Sequence, residues 1–315
     1  MAGRSRRRNT NGKCSRSKRK VLPWPFVLRR GFPFSVSSLL VALVLSACGG
    51  DESSAGSAGV NAEAPAEVGL EHIHGLGVSG DALFIATHTG LWMAPDGQRR
   101  PQPVGDSRQD IMGFSIAGDG RFIGSGHPGP DQDLPPLLGL IESRDGGRTW
   151  SNLSLLGETD FHVLESTGRR VYGYDGSRGL LVSSDGGRAW EARTPPAAMF
   201  SLAIDPRNAD RIVSATEAGL FASVDAGRRW RPLSDELAGL LAWQDGGRLF
   251  LVDGAGAVQL SADGGRTWQT TGNIGGQPAA FIAHDEELYA ALVDGSVMRS
   301  TDGGRSWIVR AAPSP

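Results

Sequence analysis

The sequence predicts an all-β protein, a six-bladed β-propeller of four-stranded blades. Three observations predict it. Glycine supplies 45 of the 315 residues, about twice the average share of roughly 7%. One octapeptide recurs five times, and each repeat unit holds four short strand patterns. Four short strands in roughly 40 residues have the size of one propeller blade.

The recurring octapeptide has the pattern Ser-x-Asp-Gly-Gly-Arg-x-Trp, with alanine replacing the first glycine in the third copy. Its aspartates are Asp145, Asp185, Asp225, Asp263 and Asp302, and its closing tryptophans are Trp150, Trp190, Trp230, Trp268 and Trp307. Successive aspartates are 40, 40, 38 and 39 residues apart. Residues 90–97 (GLWMAPDG) take the place of a sixth, degenerate copy. Six units predict six blades.

Within each unit the strands follow in a fixed order. An apolar strand is followed by a Gly or Asp turn, a second strand such as residues 82–87, and then a glycine and a third strand. The Asp-Gly-Gly turn comes next, and a fourth strand opens at the tryptophan. We place the propeller at residues 68–315. Either residues 308–315 or Val68–Leu70 supply an outer strand of the last blade.

The octapeptide resembles the Asp-box, or BNR repeat, of sialidases, sortilin-like receptors and photosystem assembly lipoproteins. The resemblance covers nearly all of residues 70–310 and implies that these turns lie at the blade periphery, away from a central pocket. The chemistry of the turn agrees with a structural role. Aspartate accepts backbone N–H bonds within its own turn, glycine supplies positive φ, and tryptophan packs between blades.

The first 47 residues have the composition of an export signal. They hold 11 Lys and Arg but no Asp or Glu. A basic region (1–33) precedes an apolar segment (34–47), whose length of about 14 residues suits a signal peptide and is too short to span a bilayer. Residues 45–48 (LSAC) resemble the bacterial lipoprotein signal, which implies that Cys48 is lipidated and becomes the mature N-terminus. Residues 48–67 then form a flexible tether.

These features predict an exported protein anchored by lipid to the outer face of a bacterial cell membrane. Residues 29–32 (RRGF) resemble a twin-arginine signal, so the general secretory and twin-arginine routes both stay open. From Cys48 onward the chain has 21 basic and 34 acidic residues, which gives a net charge of -13. This balance disfavours nucleic-acid binding, which needs clustered Lys and Arg. We expect a monomer.

Sialidase chemistry needs three arginines on the substrate carboxylate, a tyrosine nucleophile activated by glutamate, and an aspartate. The chain has three tyrosines, Tyr172, Tyr174 and Tyr289, and its body lacks the Arg-Ile-Pro motif of that family. We find no complete catalytic set and do not expect a true sialidase.

Histidines are the better candidates for a site, because five of the six lie within the first three units. Aligning the first strands of these units places His72, Asp110 and Asp160 in one column and His74, Met112 and His162 in another. His88 and His127 follow the second strands, at one mouth of the channel, where Glu217 is an equivalent residue of a later blade. We therefore predict that a ligand or channel site contains His72, His74, His88, Met112, His127, His162 and Glu217.

A metal ion is one reading of this cluster, with His72, His74, Met112 and His162 as its ligands. Imidazoles with a thioether suit copper, whereas imidazoles with carboxylates suit zinc. The other reading is a polar channel whose histidines bind water. The proline-rich insertion 128–139 beside His127 is either a lid over the mouth or a rigid turn.

The whole arrangement, including HIHGLGV, ATHTGLW and SGHPGP, resembles a family of bacterial exported Asp-box proteins often labelled glycosyl hydrolase. That resemblance implies that the histidines and Met112 belong to the family pattern, without giving their task. The first hypothesis is a binding propeller for a ligand, a metal or a protein or glycan partner. The alternative is an enzyme, either glycosyl hydrolase-like with Asp110 and Asp160 as catalytic carboxylates or dependent on a metal.

Overall fold

The computed structural model describes Leu70, residues 72–117 and residues 120–313. The predicted signal peptide, Cys48 and the tether lie outside these residues. As predicted, the described chain is an all-β propeller, with 24 strands in six antiparallel sheets of four. The described residues contain no helix long and apolar enough to cross a membrane.

Each blade is built from four consecutive strands. Blade 1 contains β1 (Ile73–Ser79), β2 (Ala82–Thr87), β3 (Gly90–Ala94) and β4 (Gln102–Pro103); blade 2 contains β5 (Asp110–Ala117), β6 (Arg121–His127), β7 (Leu140–Ser143) and β8 (Ser151–Ser154); blade 3 contains β9 (Val163–Thr167), β10 (Arg170–Asp175), β11 (Gly179–Ser183) and β12 (Glu191–Arg193). The fourth strands begin one residue after the tryptophan, a small correction to the predicted boundary.

The second half of the ring repeats this order. Blade 4 contains β13 (Met199–Asp205), β14 (Asn208–Thr216), β15 (Gly219–Ser223) and β16 (Arg231–Ser234); blade 5 contains β17 (Leu240–Trp243), β18 (Leu249–Val252), β19 (Ala257–Ser261) and β20 (Gln269–Asn273); blade 6 contains β21 (Pro278–His284), β22 (Glu287–Leu292), β23 (Val297–Ser300) and β24 (Ile308–Ala311). The first strand of each blade contacts the first strands of both neighbours, so these six strands surround the axis.

The core consists of one apolar cluster at each boundary between blades. For example, Leu220 of blade 4 and Leu249 of blade 5 are both fully buried in one of these clusters. Each Asp-box tryptophan packs against the cluster between its own blade and the preceding one. In blade 1, Trp92 of the third strand packs against the cluster shared with blade 6. Burial of apolar side chains between blades therefore holds the ring together.

Blade 6 closes the ring onto blade 1 without exchanging a strand. β24 is the outer strand of blade 6, so the structure selects residues near 308–315 for this role. The buried guanidinium of Arg310 donates hydrogen bonds to the carbonyls of Gln98, Ala94 and Pro95 in blade 1. The amide of Ala312 donates to the Arg99 carbonyl at 2.9 Å. The planar guanidinium of Arg310 has several N–H donors, so one side chain can form hydrogen bonds with several carbonyl oxygens of blade 1.

Each Asp-box turn is held by its own serine and aspartate. In the fifth-blade box, Ser261 Oγ accepts a hydrogen bond from the Gly265 amide at 2.7 Å and donates to Asp263 Oδ1 at 2.9 Å. Asp263 also accepts from the Thr267 amide at 3.0 Å. Such bonds favour the ionised carboxylate, and in the first box they lower the pKa of Asp145 to about 2. No box residue lines the channel cavities described below, so the boxes build the scaffold.

Candidate functional site

The axis of the propeller is a channel with two chambers. The mouth chamber, of about 260 Å³, is lined by His74, Met112, His162 and Phe200 among others. The far chamber, of about 500 Å³, extends to Pro206 and His284. The two chambers share a set of lining residues, and we call the level that these residues occupy the waist; they are Leu76, Phe114, Glu165, Leu202, Leu241, Phe281 and Ile282.

A β-bulge places side chains at the mouth. Pairing between the first and second strands shifts at His74, Met112, Phe200 and Ala279, which are equivalent residues of blades 1, 2, 4 and 6. All four line the mouth chamber. A bulge inserts one unpaired residue and redirects its side chain. In each bulged blade, one side chain therefore points into the channel. The residue type at that position determines the chemistry of the mouth.

The mouth is divided into a polar and an apolar half. Blades 1 to 3 contribute His74, Met112 and His162, whereas blades 4 to 6 contribute Phe200, Leu240 and Ala279. The described part of the chain thus gathers its mouth histidines on one side, opposite an apolar wall. Such a chamber suits a ligand that has a polar end and an apolar body.

The first histidine cluster joins blades 1 and 2. His88 Nδ1 lies 2.7 Å from Asp110 Oδ2 and 3.3 Å from His74 Nε2. His74 Nε2 lies 3.9 Å from the other oxygen of Asp110. One donor atom from each of the three residues lies within 4.8 Å of the other two. We call His74, His88 and Asp110 the first cluster.

His72 lies beside this cluster in an unusual backbone conformation. Its φ is 53°, a left-handed value that is uncommon for residues other than glycine. Its ring centroid lies 4.9 Å from that of His88, and the His74 ring lies 4.4 Å from the same ring on another side. His72 and His74 therefore reach the His88 ring from a left-handed residue and from a bulge, respectively.

Electrostatics keep His74 neutral. Burial, followed by the neighbouring His88, lowers the pKa of His74 to about 4. A neutral imidazole carries a free nitrogen lone pair, which is the form that binds metal ions. Asp110 adds a second feature, because its Oδ1 is buried and has no hydrogen-bond partner among the described residues. An unpaired buried carboxylate oxygen is costly unless a ligand completes it.

A second cluster repeats the pattern one blade later. His127 Nε2 lies 3.2 Å from Asp160 Oδ2, and His162 Nε2 lies 2.9 Å from the same oxygen. His127 Nδ1 donates to the Pro136 carbonyl at 2.8 Å, so the insertion 128–139 orients this ring. The inter-blade pairs His88–Asp110 and His127–Asp160 are thus equivalent positions of successive blades.

The two clusters differ in protonation. The hydrogen bond from His162 to Asp160 raises the pKa of His162, because it stabilises the imidazolium. The His162 side chain is 58% exposed, against 19% for His74, so water also solvates that charge. Asp160 Oδ1 is buried and unpartnered just as Asp110 Oδ1 is, so the two clusters differ in their histidines. The proton on His162 is stabilised, whereas His74 is a neutral imidazole whose lone pair is free for a metal ion.

The structure groups the predicted residues differently from the sequence analysis. The expected metal set joined His72, His74, Met112 and His162, but the donor atoms in mutual reach belong to His74, His88 and Asp110. Asp110 and Asp160, considered as catalytic carboxylates, each lie against histidines. The alignment missed this grouping because it treated the first and second strands as separate registers.

Blades 3 to 6 have no histidine at the position that His88 and His127 occupy in blades 1 and 2. Glu217, the equivalent of His88 in blade 4, is exposed, and its side chain has no hydrogen bond or ion pair among the described residues. Near the ends of the second strands of blades 3, 5 and 6, aspartates close their own turns: Asp175 accepts from the Ser177 amide at 2.7 Å, Asp253 from the Ala255 amide at 2.9 Å and Asp294 from the Ser296 amide at 2.8 Å. These carboxylates are structural.

The tyrosines do not assemble a sialidase site. Tyr172 is fully buried and donates to the Ala209 carbonyl at 2.7 Å, while burial raises its pKa. Burial and Glu287 raise the pKa of Tyr289 to about 12. A nucleophilic tyrosine needs the opposite shift. None of the three tyrosines lines either chamber.

Sequence reasoning missed Glu165, the acid at the waist. Register with the second strands aligns it with Gly77, Ser115, Ala203, Ala242 and Ile282 of the other blades. At the equivalent positions of the other five blades the residues are small or apolar, and this contrast with the carboxylate of Glu165 could have identified it from the sequence. It went unnoticed because the alignment stopped at the strand beginnings.

The chain matches no family model, and no curated protein sequence is similar to it. Among solved structures, one described as "YCF48 bound to D1 peptide" aligns at 16% identity with a TM-score of 0.49, covering 77% of this chain and 83% of that chain. YCF48 from Cyanidioschyzon merolae aligns at 16% identity with a TM-score of 0.48, covering 77% and 85%.

Proposed function

We propose that this chain is a binding propeller whose channel mouth holds a divalent transition-metal ion in the first cluster. The observation that carries the proposal is the convergence of two imidazole nitrogens and one carboxylate within 4.8 Å. The buried, unpartnered Oδ1 of Asp110 supports it, because a cation there would complete the carboxylate. Two imidazoles and a carboxylate suit zinc and other ions of borderline softness.

The neighbouring residues have supporting roles in this proposal. His72 lies close enough to the His88 ring to act as a further ligand or to orient that ring. Met112 lines the same chamber, and its thioether would favour copper over zinc if it joined the ligand set. The apolar half of the mouth would hold the body of a ligand or of a protein segment bound beside the ion.

The proposal also places the propeller outside the cell. The lipoprotein-like signal at residues 45–48 supports lipidation of Cys48, and the recurring octapeptide supports membership of the Asp-box proteins. A membrane-anchored propeller of this kind would present its channel mouth to metal ions or partners in the exported compartment. Replacement of Cys48 by alanine tests the anchor: the account expects loss of membrane association, and persistent association would contradict it.

Calorimetric titration of the chelator-treated full chain with Zn²⁺ and with Cu²⁺ tests the site. We expect one ion per chain, with His88→Ala weakening the affinity by about 100-fold or more, as befits a lost ligand. His284→Ala is the matched control, because His284 lines the far chamber, and it should leave the affinity unchanged. Equal affinities of the His88 and His284 variants would contradict the proposal.

A further inference from the structure

Glu165 is the only ionisable side chain at the waist of the channel, among the described residues that line both chambers. Its neighbours there are the hydrocarbon side chains of Leu76, Phe114, Leu202 and Phe281, together with Leu241 and Ile282. Glu165 is half-buried, and the surface that it exposes faces the channel. The fold therefore holds a carboxyl group inside an apolar passage.

No described residue pairs with this carboxyl group through a hydrogen bond or an ion pair. Serine hydroxyls on the channel strands form their hydrogen bonds with other groups. The hydroxyls of Ser115 and Ser166 bond each other at 2.8 Å, and Ser201 Oγ accepts the Leu241 amide at 2.9 Å. An unpaired acid in such surroundings carries a desolvation cost. That cost makes the neutral form favourable and raises the pKa of Glu165 to about 8.

Packing does not require an acid at this position. The equivalent residues of the other blades are Gly77, Ser115, Ala203, Ala242 and Ile282, and those blades form the same first-strand pairing. The carboxyl group of Glu165 is therefore not needed to form the first-strand pairing of the blade. A ligand that supplies the missing partner would offset the cost.

We propose that the waist binds an alkylammonium group, with its nitrogen paired to Glu165 and its hydrocarbon chain along the apolar wall. Ion pairs are stronger in a low-dielectric passage than in water, and an alkyl chain gains from contact with Leu and Phe side chains. A metal ion is a poor alternative, because one carboxylate offers too few ligands. The ammonium group has two sources, a free alkylamine or polyamine, and a lysine side chain of a protein partner.

The other titratable groups of the channel lie at its two ends. His74 and His162 line the mouth chamber, and Asp245 and His284 line the far chamber. Glu165 forms no hydrogen bond or ion pair with any of these four groups. Near neutral pH, pairing with an ammonium ion requires Glu165 to lose its proton to solvent. Binding should therefore tighten as the pH rises from about 7 to about 8.

Calorimetric titration of the full chain with hexylammonium, in the presence of a chelator, tests the proposal. We expect Glu165→Gln to weaken binding at least tenfold, because it removes the charge and keeps the shape. Glu158→Gln is the matched control, since Glu158 is an exposed residue of the loop between blades 2 and 3 and pairs with Arg178, and it should have no effect. 1-Hexanol, which carries no charge, should bind wild type and Glu165→Gln alike.

Equal hexylammonium affinity in the wild type and in Glu165→Gln would overturn the proposal, as would absence of hexylammonium binding at millimolar concentration. The outcome is independent of the metal site, because His88→Ala should still bind hexylammonium. Two further arms identify the source of the ammonium group. Tighter binding of spermidine than of a lysine-terminated peptide indicates a free amine, and the reverse order indicates a partner's lysine; failure of both contradicts the proposal.

Discussion

His88 Nδ1 lies 2.7 Å from Asp110 Oδ2 across the boundary between blades 1 and 2. One blade later His127 repeats the pair with Asp160 at 3.2 Å. The repeat of the fold thus produces two equivalent His–Asp pairs. A third residue distinguishes the two clusters. In the first it is His74, which is neutral and largely buried, and in the second it is His162, which is exposed and hydrogen-bonded to Asp160.

The first prediction compares the two aspartates. Asp110→Asn should weaken Zn²⁺ or Cu²⁺ binding by about 100-fold or more, because it removes the only carboxylate of the first cluster. Asp160→Asn is the matched change in the second cluster and should leave the affinity within about threefold. Competition with a chromophoric chelator measures both constants. A similar loss of metal affinity in the two variants would show that the ion does not bind preferentially to the first cluster.

The second prediction concerns protonation. In NMR titrations of the metal-free chain, His74 should stay neutral between pH 5 and pH 8, because burial and His88 lower its pKa to about 4. His162 should titrate above its ordinary value of 6.5. Asp160→Asn should lower the His162 midpoint, since the lost hydrogen bond stabilised the imidazolium. An unchanged midpoint would contradict the assigned bond.

The same shift has a consequence for stability. A raised pKa in the folded state means that the His162–Asp160 pair stabilises the fold fully below pH 6.5 and loses that effect as the pH rises through the folded pKa. His162→Gln should therefore cost more stability at pH 5.5 than at pH 8.5. Urea unfolding at the two pH values measures the difference, and equal costs would oppose this assignment.

Replacement of Glu165 should stabilise the fold, in contrast to replacement of His162. Its pKa is raised from 4.5 to about 8, so its ionisation destabilises the fold progressively as the pH rises from 4.5 to 8. Glu165→Gln should raise the Tm by a few degrees at pH 8.5 and change it little at pH 4.5. Thermal unfolding of wild type and variant at both pH values tests this; an increase that is the same at both would not fit an ionising carboxyl group.

The Asp-box turns predict a local cost of serine removal. Ser261→Ala leaves the buried Gly265 amide without its acceptor, and a buried unpaired N–H costs about 1–3 kcal/mol. Ser151→Ala, at an exposed position of β8, is the control and should be nearly neutral. Chemical unfolding of both variants provides the comparison. Equal stabilities would mean that the serine does not hold the turn.

The fold could be predicted from the sequence because each blade corresponds to one sequence repeat. The five boxes identify five blades by themselves, and the degenerate copy at residues 90–97 identifies the sixth, which the structure confirms. The tryptophans were expected to pack between blades, and they do so. The repeat is recognisable in the sequence because five of the six blades use the same turn and the same partly buried tryptophan.

The site was harder to predict because it depends on registers between strands. Alignment brought the histidines to one mouth but paired His74 with Met112 and His162, whereas a bulge and a neighbouring hairpin bring it to His88 and Asp110. Glu217 was expected to join the site because its position matches that of His88, yet the chemistry of blades 4 to 6 at the mouth is apolar. Bulges and inter-blade contacts leave little trace in a single sequence.

The most direct test of the account is the metal content and affinity of the full chain beside His74→Ala/His88→Ala and His127→Ala/His162→Ala. Both variants lose two mouth histidines, so they differ only in the cluster that they remove. We expect one ion per chain in wild type and in His127→Ala/His162→Ala, and loss of the ion in His74→Ala/His88→Ala. No bound ion in the wild type, or loss of the ion from the second variant alone, would contradict it.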